Sequence, residues 1–154
     1  MKKTIQIIAV ALTMVLSTSV FAQNKTENNI DDSKIALQGY SPVSYLDLGI
    51  AQKGLKEYKS IYDGLAYYFT NDEQKKSFEE NPKKYLPQYG GYCAFGVSVG
   101  AKFRVDPNKF VVKDGKYFLY LYDIEVDAQQ LWLAGNHKEL VQKADANWVK
   151  LSKN

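Results

Sequence analysis

The sequence predicts a single α+β domain: a small antiparallel sheet built from hairpins, with short helices packed on it. Two aromatic and branched runs are each broken by Asp-Gly, at Asp63-Gly64 and Asp114-Gly115, where glycine accepts the positive φ of a tight hairpin turn. The stretches that begin at Thr70, Asp127 and Asn136 carry helix-start chemistry. Twelve tyrosines, with Trp132 and Trp148, supply the apolar area for one core, while their hydroxyls and indole nitrogens require polar partners.

The N-terminus is a separate matter. Lys2-Lys3 precede an uncharged run with an apolar centre at Ile7–Leu16, and the run closes on Val20-Phe21-Ala22, so residues 1–22 read as a signal peptide cut after Ala22. A membrane anchor needs about 20 apolar residues, more than this run offers, and no cysteine stands at the cut for lipid attachment. The expected product is periplasmic or secreted, with no membrane span after signal removal. Of the 20 basic residues, Lys2 and Lys3 leave with the signal, so 18 face 17 acids and the net charge falls from +3 to +1. With lysines interleaved among acids there is no basic stripe, which argues against nucleic acid as a partner. Export leads to an oxidising compartment, yet the single cysteine cannot form an internal bridge, so packing must hold the fold.

Residues 23–34 are polar and aperiodic and read as a flexible leader; residues 35–152 form the domain. Gly39-Tyr40-Ser41-Pro42 reads as a turn, Val43–Leu46 as a short strand, and Tyr58–Tyr62 with Leu65–Phe69 as the first hairpin. Thr70 and Glu73 suggest a capping box opening a surface helix with Phe78 turned inward. Asn81-Pro82 suggests an N-cap and N1 proline restarting helix, carrying Tyr85, Leu86 and Tyr89 inward until Gly90-Gly91. Tyr92–Val97 fits either strand or helical turn. Phe110–Val112 and Lys116–Tyr122 form the second hairpin across Lys113-Asp114-Gly115, and two apolar faces make its second strand central. Asp127 caps a helix ending at Gly135, and Asn136 starts another whose Leu140, Val141, Ala144, Trp148 and Leu151 share one face.

Gly64-Leu-Ala-Tyr-Tyr-Phe, then Phe78, then Asn81-Pro-Lys-Lys-Tyr resembles the YHS domain family. Pro87-Gln-Tyr-Gly-Gly-Tyr-Cys-Ala-Phe and Lys143-Ala-Asp-Ala-Asn-Trp are similar to its small exported branch, so the likeness spans most of Ile35–Leu151. The resemblance implies a compact α+β fold, and in other branches a metal-handling role with cysteines before the first strand and after the Tyr-Phe pair. Here Ser41 and Val43 occupy the first region, and Thr70 and Asn71 follow Phe69.

Cys93 is the centre of the functional expectation. A lone exported thiol beside glycines suits a soft metal, a thiol partner or redox chemistry, but Tyr92, Ala94 and Phe95 offer no cation to stabilise a thiolate, which favours the reading that Cys93 fills a small apolar gap in the core. Its expected company for a small ligand is Tyr92, Tyr89, Tyr68 and Tyr40, with Tyr45 and Tyr67 as further candidates to line an aromatic pocket. His137, the only histidine, is the second candidate metal ligand, in the first turn of the last helix. Together Cys93 and His137 supply two of the four ligands zinc requires; copper(I) accepts fewer and softer ones. Asp106, Asp123, Glu125 and Asp127 read as a solvated strand end. No Gly-x-Ser-x-Gly elbow or phosphate loop is present. The expectation is a binding module for a metal ion (copper or zinc) or a small molecule, with no catalytic residue assigned. The alternatives are a thiol-dependent redox enzyme or sensor, and a structural interaction domain.

Overall fold

The computed structural model describes residues 28–153, an α+β arrangement in which the two hairpins form separate two-stranded antiparallel sheets. Strand β1 (Leu55–Tyr62) pairs with β2 (Leu65–Phe69), and β3 (Asp106–Lys113) pairs with β4 (Lys116–Tyr120). The helices are α1 (Asp72–Glu80), α2 (Ala94–Ser98), α3 (Ala128–Ala134) and α4 (His137–Leu151), joined by single turns of 3-10 type at Ala36–Gly39, Pro82–Tyr85 and Gln88–Gly91. The signal-like residues 1–22 lie outside the described residues.

Both hairpin turns are built as their dipeptides require. Asp63 and Gly64 have φ of 49° and 75°, Asp114 and Gly115 of 53° and 71°, the doubly positive geometry that matches strand twist. The second turn is therefore two residues long, and Lys113 is a strand residue paired with Lys116. In β2, Leu65, Tyr67 and Phe69 are buried while Ala66 and Tyr68 are half-buried. That inner face meets Phe78 of α1, fully buried among Tyr67 at 4.8 Å, Phe69 at 5.1 Å, Tyr62 at 6.0 Å and Tyr85 at 6.4 Å between ring centroids. Withdrawing one such ring from water contributes about 2 kcal/mol.

Strand β4 is buried from Tyr117 to Tyr120. With only one full partner strand, it covers its faces with aromatic rings: Tyr45 stacks on Tyr117 at 4.8 Å, and Trp132 lies 5.5 Å from Phe118 and 5.7 Å from Tyr120. Cys93 bridges Leu119 in parallel at β4's other edge. The strand ends at Tyr120 rather than Tyr122, because Tyr122 pairs with Asp127 and turns the chain toward α3.

Several local expectations are corrected. Ser44–Leu48 is a wide helical turn, not a strand: Pro42 leads into it and Gly49, at φ 68°, ends it. The cap of α1 is Asn71, whose side chain accepts from the Gln74 amide at 2.9 Å, one residue later than the Thr70 and Glu73 box. Gln74 Oε1 takes the returning role by accepting from the Thr70 amide at 3.3 Å. Asn81 makes no side-chain cap, and Leu86 and Pro87, in extended conformation, split the expected helix into two single turns. Asp127 and Asn136 do cap α3 and α4, through bonds to Gln129, Gln130 and Glu139 amides. Tyr92–Val97 resolves as the approach to, and start of, helix α2.

Asn28–Ser33 run as a strap beside the second hairpin region. The Asn29 amide donates to Gly90 O at 2.8 Å, its side chain to Gly91 O at 3.1 Å, and Ile30 packs on the core.

The cap assignment gives a direct test. Asn71→Ala should lower unfolding free energy by about 1 kcal/mol, whereas Thr70→Ala, whose hydroxyl has no partner among the described residues, should cost under about 0.5 kcal/mol. Urea unfolding of both variants measures the difference.

Candidate functional site

Cys93 follows three residues with positive φ, Tyr89 at 54°, Gly90 at 58° and Gly91 at 81°, which swing the chain under β4. Its amide donates to Phe103 O at 3.1 Å, and its Sγ accepts from the Gly96 amide at 3.4 Å, so the sulfur caps α2. It is 1 % exposed. The surroundings are tight: a Cβ at Gly96 would stand 2.5 Å from the Phe103 ring. Burial pushes the Tyr120 phenol well above its ordinary value. The Tyr120 hydroxyl is the one buried side-chain oxygen or nitrogen without a hydrogen-bond partner among the described residues. The sulfur thus serves as a helix cap inside the core, closed to solvent.

His137 faces a different company. Trp132 Nε1 donates to its Nδ1 at 3.1 Å, and the ring packs edge-on against Phe118 with centroids 5.3 Å apart. An accepting Nδ1 carries no proton, so in the neutral ring the proton stands on Nε2, 3.9 Å from Asp114 Oδ2. Nε2 then has no lone pair for a metal unless the indole bond is broken. Burial, reinforced by Lys113 and opposed by Asp114, lowers its pKa below the ordinary histidine value. Among the described residues no group of three or more His, Cys, Asp or Glu side chains is placed to hold a metal ion.

The expected tyrosines fall into two groups. Tyr89 and Tyr92 pack against Trp148 at 6.0 and 6.1 Å; their hydroxyls donate to Asp145 Oδ1 at 3.0 Å and to Asn28 O at 3.4 Å. Tyr40 and Tyr68 belong to the first hairpin region instead. Lys53 Nζ lies 5.1 Å from the Tyr40 ring, Tyr40 Oη accepts from Asn108 Nδ2 at 3.5 Å, and the Tyr68 ring covers Gly39. Tyr45 and Tyr67 are core residues, and burial pushes Tyr67 up to about 12.

Ser41 and the chain after Phe69, where the resemblance implies thiols in other branches, do meet through Gln74. Ser41 Oγ donates to Gln74 Oε1 at 2.7 Å, the same oxygen that takes the Thr70 amide, and Gln74 Nε2 donates to Ser44 Oγ at 3.1 Å. Amide and hydroxyl groups satisfy one another there, which makes the spot a joint between the Ser44–Leu48 turn and α1.

An opening with convergent polar groups lies elsewhere, in a groove of about 770 Å³ between the Asn29–Gln38 segment, which begins with the strap, and the entry to β3 and exit from β4. Ile30, Ile35, Val105 and Leu121 give it an apolar floor; Asp31, Ser33, Gln38, Arg104, Asp106 and Tyr122 supply its polar atoms. Arg104 is the only arginine among 20 basic residues, and its guanidinium makes no ion pair or hydrogen bond among the described residues. The opposite wall is conformationally loaded. Gln38, which lines it, has φ of 52°, and Lys34 and Leu37 of the same segment, outside the lining, have 55° and 54°, a left-handed backbone that costs about 1–3 kcal/mol per non-glycine residue. It is held by Ala66 N to Lys34 O at 2.9 Å, by Lys53 Nζ to Gln38 O, and across the groove by Gln38 Nε2 to Val105 O at 2.9 Å. Of the groove's charged residues the sequence singles out only Asp106, as part of a solvated strand end. The available signal was the solitary arginine in a lysine-rich chain, since only arginine offers a planar fork of donors.

No known protein family, curated protein or solved structure matches this chain. Among the described residues, no helix is long and apolar enough to cross a membrane.

Two measurements check this geometry. Cys93 should resist Ellman's reagent in native protein at pH 7–8 and react fully in denaturant; rapid native labelling would contradict the closed sulfur. Because His137 titrates lower folded than unfolded, the unfolded state binds the extra proton first, so its stabilising share is present above about pH 6.5 and lost as pH falls. Urea midpoints between pH 7 and 5 should therefore fall more steeply in the parent than in His137→Gln, whose amide oxygen still accepts from Trp132.

Proposed function

We propose that this chain is an exported, YHS-like module that binds a small molecule in the groove beside Arg104 and acts by binding rather than by catalysis. The observation that carries the reading is the uncommitted guanidinium set in an apolar-floored groove whose far wall is strained backbone. Arginine stays charged throughout the accessible pH range, and its fork matches a carboxylate or phosphate with two parallel hydrogen bonds. A charge-assisted bond of that kind contributes about 1.5–3 kcal/mol. Ile30, Ile35, Val105 and Leu121 add contact for an apolar body, and the Gln38 bond to Val105 O fixes the groove's width before any ligand arrives.

The sulfur-centred alternatives have less behind them. A metal at Cys93 and His137 would require opening the core at the first and breaking the Trp132 bond at the second. A redox thiol requires access that a 1 % exposed sulfur lacks. The YHS resemblance and the signal-like N-terminus supply the family and the exported location of this proposal, and they rest on the residues quoted for them.

The test uses 3-phenylpropanoate as a carboxylate with an apolar body. In a ¹⁵N-labelled sample it should produce saturable shifts at Ser33, Arg104, Val105 and Tyr122, and Arg104→Ala should weaken binding at least tenfold while leaving the dispersed spectrum intact. Shifts confined to other surfaces, or unchanged affinity in Arg104→Ala, would overturn the groove assignment.

A further inference from the structure

We infer that the groove is built for a zwitterion: a small molecule carrying a carboxylate and an ammonium group a few bonds apart on an apolar body, as in an α-amino acid. This rests on the groove reading above and adds the chemical class of its ligand.

The groove presents both signs of charge. Arg104 contributes one cation, and Asp31 and Asp106 contribute two anions. These charges do not neutralise each other by pairing, since no ion pair joins Arg104 to either carboxylate. Each carboxylate is instead held by its own chain through one oxygen. Asp31 Oδ1 accepts from the Ser33 amide at 2.9 Å and from the Ser33 hydroxyl, while Asp106 Oδ1 accepts from the Asn108 amide at 2.9 Å and the Asn108 side chain at 3.0 Å. The Oδ2 atom of each has no hydrogen-bond partner among the described residues. The Ser33 bonds also hold Asp31 below the usual carboxylate range, so it remains an acceptor in mild acid.

A ligand with only a carboxylate satisfies the guanidinium but meets two repelling anions. One with only an ammonium group satisfies the anions and is repelled by Arg104. A zwitterion places a charge against each, and its apolar body lies along Ile30, Ile35, Val105 and Leu121. The half-exposed Tyr122 ring at the groove's edge offers a face to an aromatic body, although Lys109 already occupies one side of it at 4.3 Å.

Calorimetry and ¹⁵N shift mapping with three probes test this: L-phenylalanine, 3-phenylpropanoate and phenethylamine, which share the ring and differ in charge. L-Phenylalanine should bind at least tenfold more tightly than either single-charge analogue, with shifts at Ser33, Arg104 and Tyr122. Asp106→Asn keeps Oδ1 as the acceptor for Asn108. It should weaken L-phenylalanine at least fivefold and tighten 3-phenylpropanoate by removing a repelling charge. If 3-phenylpropanoate binds the groove as well as L-phenylalanine and Asp106→Asn treats them alike, the zwitterion inference falls while the Arg104 groove stands. If phenethylamine binds best and Arg104→Ala has no effect, both fall. Absence of groove shifts with all three probes also overturns both.

Discussion

The structure depends on β4 being buried on both faces in a sheet of only two strands. A hairpin cannot supply the layers that normally cover a central strand, so rings from distant parts of the chain must do it. Tyr45 comes from the Ser44–Leu48 turn and lies on Tyr117; Trp132 comes from α3 and covers Phe118 and Tyr120. Each covering ring must also place its polar atom. Tyr45 Oη donates to Pro107 O at 2.8 Å, Tyr117 Oη to Tyr85 O at 2.9 Å, and Trp132 Nε1 to His137. Those bonds tie β3, the Pro82–Tyr85 turn and α4 to the same strand, and they explain why a chain with no internal disulfide holds one geometry.

The sulfur and the groove take their roles from that strand. Cys93 closes the free edge of β4 at Leu119, and this seals the thiol inside and leaves it as the cap of α2. Asn147 of α4 completes the other end of α2 by donating to Val97 O at 2.9 Å and Ser98 O at 3.1 Å. Beyond Tyr120 the chain leaves the core, and its exit through Leu121 and Tyr122 lies beside the entry of β3 at Val105 and Asp106. That pair of segments is one wall of the groove, and the Asn29–Gln38 segment, with left-handed Gln38 among its lining residues, is the other. The Gln38 Nε2 bond to Val105 O at 2.9 Å joins the two walls, so under the proposed function the groove's shape exists before a ligand binds, which would lower the ordering cost of association.

Much of the fold was legible in the sequence because its signals are local. Asp63-Gly64 and Asp114-Gly115 specify their turns through φ alone, and Asp127 and Asn136 specify caps through one side-chain oxygen each. The misread elements are those decided by distant contacts. Ser44–Leu48 is helical because Tyr45 must reach Tyr117 and Pro107, more than 60 residues away in sequence, and no pattern within the segment carries that demand. Thr70 and Glu73 fit a capping box on paper, but Gln74 is drawn one residue later by Ser41 and Ser44. At the candidate site the failure has the same cause. Tyr40 and Tyr68 share a residue type with Tyr89 and Tyr92 but not a location, and the groove is assembled from the strap and the β3 and β4 ends, whose convergence no short motif announces.

The most direct measurement of this account is native-state hydrogen exchange across both hairpins. If doubly covered β4 is the centre, its cross-hairpin amides exchange only through global unfolding, and the strap amides at Asn29 and Ile30 open at distinctly lower free energy. A result in which β4 opens below the global limit while β1 and β2 carry the slowest amides would contradict it.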